Sequence, residues 1–85
     1  MLTLPEIRAQ TRPHISALCE GLDLSTVELL HAYDWVCDVI YDDHRVYEPY
    51  DSIKRSNVEH FFEIWCDDFY AVKLAGMKWR KVVRR

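Results

Sequence analysis

Two pairs of acidic and histidine residues have the spacing at which one helix face presents metal ligands. Each pair is separated by three positions: Glu28 with His31, and His60 with Glu63. Asp67 lies one further helical turn beyond Glu63. A carboxylate-bridged di-iron site combines such pairs from four helices with additional buried glutamates. Isolated pairs of this kind are usually fortuitous, so we interpret these side chains as solvated and expect neither a metal nor a cofactor.

The three cysteines are candidates for a nucleophile or a zinc site, but their spacing favours neither. They are Cys19, Cys37 and Cys66. An odd number of widely spaced cysteines is not a disulfide framework, and none has the close pairing typical of structural zinc. A nucleophilic thiol needs a histidine and an electropositive setting, whereas Asp67 and Asp68 follow Cys66 directly. We therefore expect three free thiols that pack as small apolar groups.

Adjacent carboxylates are a third arrangement that can carry catalysis, here by acid–base chemistry. They occur at 42–43 and at 67–68. Neighbouring residues of a helix point about 100° apart, so neither pair converges on one substrate. Glycine occurs only at 21 and 76, which excludes a glycine-rich phosphate loop. The sequence predicts that the protein is not an enzyme.

Composition predicts a small cytoplasmic domain. The 85-residue chain is 49% apolar and 13% aromatic, which is enough to build a core in one domain of this size. Its first residues lack the basic and apolar regions of a signal peptide, and no stretch approaches the ~20 apolar residues of a membrane span. We predict a single helical domain over residues 1–85, with residues 72–85 as a basic helical extension.

Three capping boxes mark the starts of three predicted helices. They begin at Thr3, Ser25 and Ser56. Each is followed by apolar residues at alternating steps of three and four, the period of a helix. In the first helix Pro13 removes a backbone hydrogen bond, which predicts a kink or a split near 11–12, and Gly21 suits the terminal cap. The expected fold is all-α, a small antiparallel bundle of three helices, with four as the alternative.

The second helix, expected to run to about Asp42, divides into an apolar arc and an acidic face. The apolar arc contains Leu29, Ala32, Tyr33, Val36, Val39 and Ile40, flanked by Leu30 and Cys37. The opposite face contains Glu28, His31, Asp34, Asp38 and Asp42. Trp35 falls among these acids, so we expect it to be substantially exposed. Because tryptophan is enriched in interface hot spots, we predict a partner-binding acidic face. That face comprises His31, Asp34, Trp35, Asp38 and Asp42.

Rows of like charge are the second sign of a binding surface. The rows are Asp34, Asp38 and Asp42 on the second helix, and Glu59, Glu63 and Asp67 on the third. Each like-charged pair at this spacing costs an isolated helix about a few tenths of a kcal/mol. A solvated face is the alternative interpretation. Trp35, an aromatic side chain among the acids, argues against it.

Residues 44–55 form the longest stretch without helical periodicity. This stretch contains Pro49, but it is too apolar for a flexible linker, so we expect it to pack against the helices. A short helical turn over 51–54 is a further expectation. Connections of this length are often functional, and we predict that Tyr47 and Tyr50 contact a partner.

The third apolar stripe predicts a helix longer than a three-helix core needs. It contains Val58, Phe61, Phe62, Trp65, Phe69 and Val72, and positions 76, 79 and 83 continue it. We therefore expect one helix over about 57–83, roughly 40 Å long, with Gly76 allowing close packing. The alternative is a cap at Gly76 followed by a separate tail.

Charge is distributed unevenly along the chain, whose net charge is −3. Residues 1–72 carry 14 acids and five bases, whereas residues 73–85 carry six bases and no acid. The predicted basic segment comprises Lys78, Trp79, Arg80, Lys81, Arg84 and Arg85. As an amphipathic helix it suits nucleic acid, an acidic protein groove or a membrane surface. A solvated helix end whose cations complement the helix dipole is the alternative.

Two functions follow from these patterns. The first is a non-enzymatic protein that binds a protein partner through the acidic face, the loop or both, as a regulator or inhibitor. It would act against a host protein or nucleic-acid-handling machinery, and a phage or mobile-element origin would agree with this by analogy. The alternative is a small nucleic-acid-binding regulator that uses residues 73–85. The acidic body opposes this second function because it repels phosphate. A homodimer is left open.

Overall fold

Three helices make up the fold in this computed structural model, which describes residues 2–22, 24–47 and 49–74. Helix α1 spans Leu4–Cys19, α2 spans Thr26–Val46 and α3 spans Arg55–Leu74. Each helix packs against the other two, and no strand occurs within the described ranges. The predicted all-α class with three helices is confirmed. The antiparallel geometry and the single domain over 1–85 stay predictions, and the expected continuation of α3 through Gly76 to residue 83 lies outside the described residues.

Two of the three predicted capping boxes are confirmed. The Thr3 N–H donates to Glu6 Oε1 at 2.9 Å, and the Glu6 N–H donates back to Thr3 Oγ1 at 3.4 Å. Ser25 and Glu28 form the same reciprocal pair at 2.9 and 3.2 Å. These bonds satisfy backbone donors that the first turn of a helix leaves without partners. The backbone bond at Thr3 also lowers the pKa of Glu6.

The third predicted capping box is wrong, because α3 begins two residues earlier than expected. The Lys54 N–H donates to Asn57 Oδ1 at 3.0 Å, and the Val58 N–H donates to the Lys54 carbonyl at 3.3 Å. Ser56 therefore lies inside the first turn. The amide of Asn57 reaches back to the N–H three residues earlier, which is the role that the sequence pattern assigned to Glu59.

Helix α1 continues without a break through Pro13, so of the two predicted alternatives, a kink or a split, the split does not occur. Pro13 and Ala9 are both exposed, and water can therefore bond to the Ala9 carbonyl that the missing N–H leaves without a donor. The helix ends as predicted, with Gly21 at φ +82° directly after the cap residue Glu20. This left-handed conformation is the one that glycine adopts without steric cost.

The core is formed by all three helices together with one residue of the connection before α3. Its buried apolar residues are Ile7, Ile15, Ala32, Val36, Cys37, Ile40, Ile53, Val58, Phe62, Trp65 and Phe69. On α3 the rings of Phe62, Trp65 and Phe69 stack in sequence, with centroid separations of 5.9 and 5.1 Å. The predicted apolar stripe of α3 is confirmed as far as Phe69.

Helix α2 differs from its prediction in length and in the burial of its polar residues. It runs to Val46 instead of Asp42, because the following connection folds back over its last turns. His44 is buried there, accepting the Tyr50 N–H on Nδ1 at 2.7 Å and stacking on the Tyr50 ring. Glu28, expected on the polar face, is also buried. Its carboxylate caps the first turn, which keeps it close to the helix.

The connection between α2 and α3 packs against the helices, as the sequence predicted. The Tyr50 hydroxyl donates to the carboxylate of Asp43, and the Ile53 N–H donates to Gln10 Oε1 of α1 at 2.7 Å. The helical turn expected over 51–54 is absent, since residues 51–52 form a bend. The connection is held by side chains of α1 and α2.

A hydrogen bond between the indole of Trp65 and the imidazole of His31 joins α3 to α2. Trp65 Nε1–H donates to His31 Nδ1 at 2.9 Å, and Trp65 is only 2% exposed. The two rings are tilted, with centroids 6.0 Å apart. A buried donor without an acceptor is costly, so this bond matters more than an exposed one.

We expect His31→Phe to lower the free energy of unfolding by about 1–3 kcal/mol, because the buried indole N–H loses its acceptor. In a Trp65→Phe background the same change should cost much less, since no donor is left behind. Urea denaturation of the four proteins measures both values. His31→Asn is the control that retains an acceptor. Equal costs in the two backgrounds would show that the bond is unimportant.

Candidate functional site

The fold uses the first half of the predicted acidic face to join helices. Asp34 accepts a hydrogen bond from Arg8 Nη2 of α1 at 2.7 Å, and this contact raises the pKa of the Arg8 guanidinium. The Arg8 guanidinium lies 4.8 Å from the ring centre of Tyr33, whose hydroxyl donates to the Arg8 carbonyl at 2.8 Å. Asp34 is exposed, so this ion pair links α1 to α2 but adds little stability. His31 similarly contacts Trp65 of α3.

Trp35 is not substantially exposed, so this prediction was wrong. The side chain is only partly accessible and packs against the buried core. The helical wheel places the Cα of Trp35 among the acids, but an indole is wide enough to reach the core from a position at the edge of the polar face. Trp35 therefore contributes to the fold.

We expect Trp35→Ala to lower the free energy of unfolding by about 1–3 kcal/mol. This is less than the ~3–5 kcal/mol typical of a fully buried large aromatic residue, because part of the indole is already in water. Trp65→Ala is the comparison, and it should cost more. Thermal and urea denaturation test the order. A Trp35→Ala protein as stable as the parent would place the ring in solvent.

The second half of the predicted face remains on the surface and continues into an apolar end. Asp38, Asp42 and Val46 follow one another at intervals of four residues, and all three are exposed. Tyr47 comes directly after the helix and is 81% exposed. Asp42 has Arg45 at 3.6 Å, a surface ion pair of little energetic weight. We call Asp38, Asp42, Val46 and Tyr47 the α2-end surface.

The two tyrosines predicted to bind a partner have different surroundings. Tyr47 is the most exposed large apolar side chain among the described residues, whereas Tyr50 is half-buried. The hydroxyl of Tyr50 bonds to Asp43, and its ring stacks on His44. Tyr50 therefore anchors the connection to α2, and Tyr47 is the tyrosine that presents its side chain to solvent.

The acidic row of α3 lines a separate groove against α1. Its members Glu59, Glu63 and Asp67 are all exposed. The groove has a volume of about 350 Å³, and its apolar lining comes from Leu18, Phe62 and Cys66, with none of the described α2 residues. The two acidic rows thus belong to different surfaces, which the sequence pattern did not indicate. The sequence did contain one indication of the apolar floor, because Leu18 is an apolar residue near the end of α1.

The cysteines are free thiols, in an environment that disfavours nucleophilic chemistry. Burial raises the pKa of all three. For Cys66 the pKa rises to about 11, first because of burial and then because the Cys19 thiol and the carboxylates of Asp67 and Glu63 are near. A thiol must ionise to attack or to bind a metal, so Cys66 is poorly suited to either.

The metal-ligand spacings do not converge in the fold. Within the described part of the chain, no three His, Cys, Asp or Glu side chains come together as a metal site would require. Glu28 caps α2 and His31 contacts Trp65, so the first pair has structural roles. The predicted basic segment, from Lys78 to Arg85, lies outside the described residues.

The chain matches no protein-family model, no curated protein and no solved structure. Among the described residues, no helix is both long and apolar enough to cross a membrane.

We expect native Cys66 to react with a thiol reagent at pH 8 about 100-fold more slowly than an ordinary cysteine. Its pKa of about 11, against an ordinary value near 9, leaves correspondingly less thiolate. The rate should keep rising with pH up to about 11. Time-resolved alkylation with mass spectrometry of the labelled peptides measures it.

The control is the same labelling in denaturant, where all three cysteines should react at similar, faster rates. Native labelling of Cys66 as fast as labelling of the unfolded chain would contradict the buried, acidic environment of this thiol.

Proposed function

We propose that the protein is a non-enzymatic binding protein whose α2-end surface contacts a protein partner, which it regulates or inhibits. One observation carries the proposal: Tyr47 is 81% exposed and Val46 is 63% exposed, side by side, at the end of an acidic helix face. Single exposed apolar residues are common on any protein. Two adjacent ones next to a row of carboxylates form an apolar centre with a charged edge, which is the composition of many interfaces.

The physical role of each part of this surface follows from its chemistry. Tyr47 provides a large, rigid side chain with an apolar ring and a polar end, the type that dominates interface energetics. Asp38 and Asp42 favour a partner with a basic surface, because complementary charge speeds association and excludes acidic competitors. The proposed partner is therefore a protein with a basic rim around an apolar pocket.

This proposal is narrower than the face predicted from the sequence. His31 and Asp34 are left out of the proposed surface because they contact Trp65 and Arg8 of the neighbouring helices. Trp35 has only part of its ring available for contact. A catalytic function has less support among the described residues, because the thiols have raised pKa values and adjacent carboxylates of a helix point about 100° apart.

The test begins with the partner that the full chain captures, identified by mass spectrometry and then purified. We expect Tyr47→Ala to weaken binding by more than ~1 kcal/mol, and the reversal Asp38→Lys with Asp42→Lys to weaken it further. Glu20→Lys with Asp51→Lys is the matched control, since both residues are exposed and the net charge change is the same. Circular dichroism verifies that each variant is folded.

Two results would contradict the proposal. One is a captured partner whose affinity changes as much with the control reversal as with the α2-end reversal. The other is tight, salt-sensitive binding of the purified protein to duplex DNA or to RNA, which would favour the alternative function of residues 73–85. In that case each lost phosphate contact should reduce the log–log salt slope on duplex DNA by about one.

A further inference from the structure

The groove between α1 and α3 has an acidic edge and an apolar floor. Glu59, Glu63 and Asp67 follow its edge over two helical turns, about 12 Å. Among the described residues, Arg55 is the cation nearest this row, 3.7 Å from the carboxylate of Glu59, and both side chains are exposed. That exposed pair is weak, and Glu63 and Asp67 have no ion pair among the described residues.

The chain itself contains a segment of complementary chemistry. Residues 75–85 carry five bases and no acid, with three apolar residues between them. The bases are Lys78, Arg80, Lys81, Arg84 and Arg85, and the apolar residues are Trp79, Val82 and Val83. A segment of this kind can place its cations against the carboxylates and its apolar groups against the floor of Leu18, Phe62 and Cys66.

We propose that residues 75–85 of one copy bind in the α1–α3 groove of a second copy, and that the exchange is reciprocal. The acidic row lies 7 to 15 residues before Leu74 on the same helix. Leu74, after which the segment begins, lies at the end of α3 beyond the groove, so a segment would reach the groove of its own copy only by reversing the chain direction. A two-fold axis places the segment of each copy in the groove of the other copy at the same time.

The spacing of the charges supports an antiparallel pairing of two α3 helices. If the helical periodicity continues as predicted, an axis near residue 72 places Glu59 opposite Arg85 and Glu63 opposite Lys81. Lys78 then lies close to Asp67, one turn further along. The same register sets Trp79 beside Cys66 and Val82 beside Phe62, so the apolar residues of the segment meet the apolar floor. This dimer uses a surface separate from the α2-end surface and does not depend on the proposed function.

The test is the molecular mass of the full chain by sedimentation equilibrium over a range of concentrations at low and high salt. We expect a dimer whose Kd rises with salt, because charge pairs hold its edges. The reversal Glu63→Lys with Asp67→Lys, or the reversal of their proposed partners, Lys81→Glu with Lys78→Glu, should raise the Kd at least about tenfold. Glu20→Lys with Asp51→Lys is the matched control and should leave the Kd nearly unchanged.

The decisive measurement mixes the two reversed variants. In one interface of the mixed dimer the new lysines of the groove face the new glutamates of the segment, and in the other interface the unmodified groove faces the unmodified segment. An equimolar mixture should therefore regain the dimer that each variant alone has lost. A synthetic peptide of residues 75–85 added to the unmodified full chain is a second measurement that needs no variant, and it should dissociate the dimer. Intact native mass spectrometry identifies the heterodimer directly.

Three outcomes would overturn the proposal. The first is a full chain that stays monomeric at all concentrations. Binding of residues 75–85 to the groove of their own copy would give this result. The second is a dimer that neither reversal nor the peptide weakens. The third is a pair of folded, monomeric variants whose mixture forms no heterodimer.

Discussion

The burial of Trp65 is the constraint on which the rest of the structure depends. The indole is the largest side chain of the core, and it stacks between Phe62 and Phe69 on α3. Its N–H cannot be left without an acceptor in that position, and His31 of α2 provides one. The bond joins α2 to α3, while the contact of Asp34 with Arg8 and the bond from the Tyr33 hydroxyl to the Arg8 carbonyl join α2 to α1. Two residues of the polar face of α2 are thereby used to assemble the bundle.

This use of polar residues determines where binding surfaces can form. With His31 and Asp34 engaged at the helix contacts, the exposed acids of α2 that make no contact with another helix are Asp38 and Asp42, in its second half. The acidic row of α3 faces the other neighbour, α1, and meets an apolar floor there. A chain with an excess of acids in its first 72 residues thus has two chemically distinct surfaces instead of one acidic face.

Most of the helical framework could be predicted from local sequence, and most of the surface assignments could not. The capping boxes at Thr3 and Ser25 and the stripe of α3 depend on residues a few positions apart, so their patterns are visible in the chain. Helix α2 extends to Val46, where Tyr50 contacts its last turns. Trp35 packs against the core because its indole is wide enough to reach it from the edge of the acidic face of α2. Such outcomes depend on which elements meet in space.

A few hydrogen bonds are enough to tie the connection before α3 to the helices. Its amide groups at Tyr50 and Ile53 donate to side chains of α2 and α1, and the acceptors lie 6 and 43 residues away in the chain. Opening this connection therefore breaks bonds to two helices at once and exposes Ile53. Local unfolding of the loop without the helices becomes unfavourable, so the connection belongs to the same cooperative folding unit as the core.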